Sequence, residues 1–199
     1  MANNKVNFGL KNCHYAICTE TFNESTGWST SYGTVKAWPG AVNMSLSAEG
    51  EDTDFYADDG VYYTGGTNAG YSGTFESAKV PEDVLEDVFG QQRDNDGLLV
   101  EATDDVKKYI AFLFEVDGDS TGTRICLLRC ALGRPGIDAE TKTNSTEPKT
   151  TSVDIKCLPR VDSDHYVKVT ADGKTTATTS GAAKYEAFFD AVPVPSFGS

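Results

Sequence analysis

The chain has 199 residues and carries a formal net charge of −13, with 30 acidic residues against 17 Lys and Arg. That length suits one domain, 1–199, and is enough to bury a core without disulfide or metal staples. A composition of 39% hydrophobic and 24% charged residues excludes a disordered chain. No apolar run approaches the roughly 20 residues of a membrane-spanning helix. The excess of acids, with no basic stripe, excludes a tight clamp on nucleic acid, which needs cations to displace counterions.

The opening MANNKVNFGLKN lacks the apolar run of a secretory signal, so the expected compartment is the cytoplasm. Cys13, Cys18, Cys126, Cys130 and Cys157 are odd in number and form no C-x-x-C pair, which reads as free thiols in a reducing environment. Val42, Met44 and Leu46 alternate with small or polar residues over 41–48, the period of a half-buried strand. Residues 71–79 alternate in the same way. Just before them, GGTNAG (65–70), rich in Gly and bracketed by tyrosines, reads as a flexible loop.

PEDVLEDVFG (81–90) predicts a short helix, with Pro81 and the acids Glu82 and Asp83 at its start and Gly90 at its end. YIAFLFEV (109–116) is apolar on both faces and predicts a central strand. It passes through the turn DGDSTG (117–122) into a second strand, TRICLLRCAL (123–132). ETKTNSTEPKT (140–150) reads as an exposed loop. Strands are expected at 152–158 and 165–170, with a turn at 171–173. A last helix is expected over 181–192, capped by Ser180 and stopped by Pro193. The fold class is therefore mainly β with two short helices.

The motifs that might carry chemistry are weak. DGDSTG resembles the start of a calcium loop, but Leu128 stands where the bidentate Glu belongs. Cys13, His14 and Cys18 lack the second ligand pair of a structural zinc site, and the only other histidine is His165. GYSG (70–73) is one residue short of a nucleophile elbow, and GGTNAG (65–70) lacks the Lys and Ser/Thr of a phosphate loop. Asp58 and Asp59, within DFYADDGVYY (54–63), form an adjacent carboxylate pair. An acid–base role needs burial of one of them, and the glycine-rich context favours exposure. The residues alone point to no catalysis, no cofactor and no metal.

Taken in order, several segments resemble the major tail (tail tube) proteins of long non-contractile-tailed bacteriophages. These are KVNFGLKNCHYA (5–16), YGTVKAWPGAVNMSLSAEGE (32–51), FYADDGVYY (55–63), NAGYSGTFE (68–76), PEDVLEDVFG (81–90), GRPGIDAETKTNSTEPKT (133–150) and AKYEAFFDAV (183–192). CTETFNESTGWST (18–30) is longer and more polar than that pattern, and after PVPSFGS no immunoglobulin-like surface domain is expected. The resemblance implies a tail-tube-type β-sandwich of two packed antiparallel sheets, flanked by a short helix, with a C-terminal helix. It implies a structural virion protein, not an enzyme, assembled in the bacterial host cytoplasm into stacked hexameric rings. Implied partners are copies of itself, the tape-measure protein, and the tail terminator and distal tail or baseplate proteins. Viral DNA would pass through the lumen without specific binding. Residues 57–70 would form a long inter-strand loop that reaches the neighbouring ring, mobile before stacking, with Asp58, Asp59, Tyr62, Tyr63 and Tyr71 at the interface. A ring protein of a related secretion apparatus and a soluble binding module remain the alternatives.

Overall fold

The computed structural model describes residues 9–118, 122–139, 141, 149–195 and 197. In chain order the strands are β1 (Leu10–Asn23), β2 (Gly27–Tyr32), β3 (Lys36–Ala37), β4 (Ala41–Glu49), β5 (Asp52–Ala57), β6 (Gly60–Gly66) and β7 (Gly70–Ser77). Helix α1 (Glu82–Asp87) follows, then β8 (Gln92–Arg93), β9 (Leu99–Val100), β10 (Tyr109–Val116), β11 (Thr123–Leu132), β12 (Thr151–Cys157) and β13 (Lys168–Ala171). The described chain closes with α2 (Thr179–Glu186), which runs into a 3₁₀ turn at Ala187–Phe189.

The protein is mainly β, and its strand pairings are all antiparallel. Seven strands follow the hydrogen-bonded order β2-β1-β10-β11-β12-β7-β4, with β3 added beside β1 and β13 beside β11. Strand β11 divides its outer edge. Arg124–Leu127 pair with β13, while Cys130–Leu132 pair with β12. Because β11 changes partner along its length, the sheet bends there and folds back over itself. The rings of Phe75 on β7 and Phe112 on β10 meet at 4.9 Å although two strands separate them in the sheet order. Strand β4 comes round beside β1. The two do not pair, and a cleft of about 540 Å³ remains between Val42, Met44 and Leu46 on one side and Leu10, Phe114 and Val116 on the other.

The residues pointing into this fold explain it. Tyr15, Trp38, Phe75, Ile110, Phe112, Leu127, Val153 and Ile155 make a buried core, closed at one end by Val84, Val88 and Phe89 of α1 and the turn after it. Trp38 meets Phe75 edge-on at 5.1 Å and Phe112 at 5.9 Å, the T-shaped arrangement that aromatic quadrupoles favour. A second cluster lies on the opposite face of β10 and β11, where Leu113 and Leu128 pack under Tyr185 and Phe188. This is why YIAFLFEV is apolar on both faces, Glu115 apart: β10 sits centrally with one face in each cluster.

Most expected elements appear close to their expected bounds, and the exceptions have physical reasons. Val42 is exposed, because a register shift between Ala41 and Asn43 leaves it in a bulge. The last helix starts earlier than expected. Thr178, in extended backbone, accepts a hydrogen bond from the Gly181 N–H and is the cap in place of Ser180, and regular α-helix ends at Glu186. The strand expected from His165 begins at Lys168, since His165 has a positive φ of 50°. Residues 5–8 of the expected opening strand, 119–121 of the turn and most of the 140–150 loop lie outside the described residues.

Candidate assembly surface

The largest departure from expectation is at residues 57–70. They hold no long loop. Strands β5 and β6 form a separate two-stranded ribbon, paired from Asp52↔Gly66 to Ala57↔Gly60. Asp58 and Asp59 make its two-residue turn with φ of 52° and 63°. Two successive positive φ values are the mark of a type I′ hairpin turn, which matches the twist of the flanking strands. Asp is among the few residues besides Gly that tolerate this backbone. The adjacent carboxylates are thus exposed turn formers at a hairpin tip.

The ribbon grows directly out of the main sheet. Strands β4 and β7 pair with each other, and beyond them the Ala69 N–H donates to the Glu49 carbonyl and the Thr67 N–H to the Glu51 carbonyl. Gly70 stands at the root with φ 104°, and a Cβ there would lie 1.9 Å from the Cys157 carbonyl oxygen, so no other residue fits. The root is clamped to β12 while the ribbon projects beyond it.

What the ribbon presents is apolar and exposed. Relative exposures are 66% for Tyr56, 53% for Val61, 74% for Tyr62 and 64% for Tyr63. Tyr62 is the extra residue of a bulge, since Phe55 pairs with Tyr63 and Tyr56 with Val61. A bulge breaks the in–out alternation and re-aims side chains, which leaves the adjacent Tyr62 and Tyr63 rings both open to solvent. The Tyr63 ring lies over Gly65, where a Cβ would collide with it at 2.9 Å. Around these rings the charge has one sign. Between Lys36 and Lys79 there are seven Asp and Glu and no Lys, Arg or His.

Tyr71 does not belong to this group. It lies on β7, half-buried, with its hydroxyl 3.1 Å from the Lys168 ammonium, which also sits 5.0 Å over its ring. Tyr56 and Val61 take its place on the ribbon. Their signal in the sequence is the apolar–aromatic flank on each side of the Asp-Asp turn. A second projecting hairpin joins β1 to β2, where Phe22 and Trp28 face each other across the strands at 5.2 Å and are both exposed. The sheet also ends in β2 on one side and β4 on the other, and neither outer edge has a strand partner among the described residues.

The other candidates are placed in the core or on ordinary turns. Cys13 and Cys18 are buried, and burial pushes both thiols up to about 12, so they stay protonated at neutral pH. His14 packs on Phe189 at 4.9 Å, and a His165 ring nitrogen lies 3.1 Å from the Arg160 carbonyl oxygen. Asp117 pairs with Lys11 at 3.1 Å. Among the described residues no three His, Cys, Asp or Glu side chains gather as a metal site would require. None of the described helices is long and apolar enough to cross a membrane. No family model and no curated protein matches the chain.

Proposed function

We propose that the chain is a tail-tube protein of a long non-contractile-tailed bacteriophage, polymerising as stacked hexameric rings. The observation that carries this reading is the ribbon Asp52–Gly66, a projecting two-stranded hairpin that exposes Tyr56, Val61, Tyr62 and Tyr63. An isolated two-stranded hairpin is marginal in water, and exposed aromatic clusters are surfaces for contact. Burying Tyr62 and Tyr63 on a neighbour would remove on the order of 250 Å² from water. That is about 6 kcal/mol per subunit before the cost of association. Six such contacts per ring add up to stable stacking.

The remaining features support the same reading. Open edges at β2 and β4 suit closure of a ring by strand pairing between neighbours, which leaves no edge exposed. In this reading the folded-back sheet supplies the two layers of the tail-tube sandwich, and α1 flanks it. A net charge of −13 is consistent with a lumen that repels phosphate and lets DNA slide through on ejection. The partners are the tape-measure protein inside the tube and the terminator and baseplate proteins at its ends, and the tube forms in the host cytoplasm. Electron microscopy of the concentrated purified protein tests the reading. Long hollow tubes are expected. Rings that never extend favour a secretion-type ring protein, and persistent monomers favour a binding module.

A further inference from the structure

The described residues hold a cysteine pair that the assembly reading does not use. Cys130 on β11 and Cys157 on β12 are direct register partners, both fully buried in the main core, with Sγ atoms 3.2 Å apart. Their position in the ladder matters. The Leu158 N–H donates to the Arg129 carbonyl, and the Gly133 N–H donates to the Asp154 carbonyl. In an antiparallel ladder hydrogen-bonded pairs alternate with non-hydrogen-bonded ones, so 129/158, 131/156 and 133/154 are the bonded pairs. Cys130/Cys157 is therefore a non-hydrogen-bonded pair, the kind in which Cα atoms approach to about 4.5 Å and side chains lie closest. That spacing falls inside the range of about 4.4–6.8 Å that a disulfide spans, and the sulfurs need to close by only about 1 Å.

We propose that Cys130 and Cys157 are a redox-closable pair, joined by a disulfide when the protein meets an oxidising thiol pool. The step is two exchanges with a small-molecule disulfide such as oxidised glutathione. One cysteine loses its proton and attacks a glutathione sulfur, forming a mixed disulfide and releasing one glutathione thiolate. The second cysteine loses its proton and attacks the protein-bound sulfur, releasing the other thiolate. The two thiolates take up the two protons, so two cysteines and one oxidised glutathione give one cystine and two reduced glutathiones. Burial holds the Cys130 thiol well above its ordinary range, so exchange proceeds through local opening. The ladder between β11 and β12 spans only Arg129–Gly133 against Asp154–Leu158, which keeps that opening short. The bond closes a connection of 27 residues and fixes β12 to β11, the point where the sheet bends. The pair stands independently of what the chain assembles into.

The test exposes the folded protein to excess oxidised glutathione until reaction stops, in buffer and in urea below the unfolding midpoint. Acid quench, unfolding, alkylation and mass spectrometry follow. The expected result is a mass lower by two hydrogens, three alkylated cysteines, and a tryptic product linking residues 130–142 to 157–160. The thermal midpoint rises by roughly 5–10 °C and falls back with dithiothreitol. Cys157→Ser gives no linked product, while Cys13, Cys18 and Cys126 remain open to alkylation. Five alkylated cysteines under both conditions, a glutathione adduct that never resolves, or a linkage through Cys126 each overturn the proposal.

Discussion

Asp87 shows how single residues hold this fold. It ends α1, and its carboxylate accepts hydrogen bonds from the Tyr15 hydroxyl at 2.8 Å and the Lys36 ammonium at 2.5 Å, tying the helix to β1 and β3. Burial by itself would raise the Asp87 pKa, but the bonds from Lys36 and Tyr15 outweigh it and hold the carboxyl below its ordinary 3.8. A depressed folded-state value contributes stability above pH 3.8, and the contribution is lost as pH falls through that lower value. Asp87→Asn is therefore expected to cost about 1–2 kcal/mol at pH 7, discounted for the solvent that reaches Lys36 and Asp87. The difference between variant and parent should narrow at a pH well below that ordinary value. Urea unfolding at the two pH values checks this, and an equal gap at both would contradict it. Gly70 acts through its missing Cβ instead, since only glycine lets the ribbon root lie against the Cys157 carbonyl.

At the scale of elements, the ribbon β5–β6 has far less support than the main sheet. It belongs to its own two-stranded sheet, while β10 and β11 are buried on both faces. Amides of residues 52–66 should therefore exchange with deuterium at least about 100-fold faster than those of β10 and β11 in the monomer, and become protected in assembled tubes. Equal protection in the monomer would contradict this. The same contrast explains what was legible in the sequence. Strands 109–116 and 123–132 are readable to the residue, because runs rich in apolar and β-branched residues are bounded by Asp and Gly. The ribbon reads as a loop in the sequence because its arms carry Asp, Gly and Thr, which weaken any strand signal, and its apolar residues face solvent. The Asp-Asp turn between Phe-Tyr-Ala and Gly-Val-Tyr-Tyr was the available clue, since only a hairpin needs two positive φ values there. The resemblance puts Tyr62, Tyr63 and Tyr71 at the candidate surface, and Tyr62 and Tyr63 are both exposed on the ribbon. Tyr71 separates from them because β7 carries it back into the main sheet. The bend at β11 could not be read at all, since it depends on two remote strands sharing one edge.

For the whole molecule, charge and shape oppose each other. The chain carries −13, and the exposed rings sit in a stretch without a single base, so the stacking proposed above would bring like charges together. Raising ionic strength from about 0.01 M to 0.15 M shortens the screening length from about 30 Å to 8 Å and should speed tube growth followed by light scattering. Slower growth at higher salt would mean that the ribbon docks on a basic surface. The central claim is that the ribbon's exposed rings join one ring of subunits to the next. The most direct measurement is electron microscopy of the double variant Tyr62→Ser, Tyr63→Ser against the parent across a concentration series. Both side chains are largely exposed, so the variant should keep its circular dichroism and stay within about 0.5 kcal/mol of the parent in stability. It should need at least about 100-fold more protein to form tubes. Tubes of parental length at the parental concentration would contradict the account.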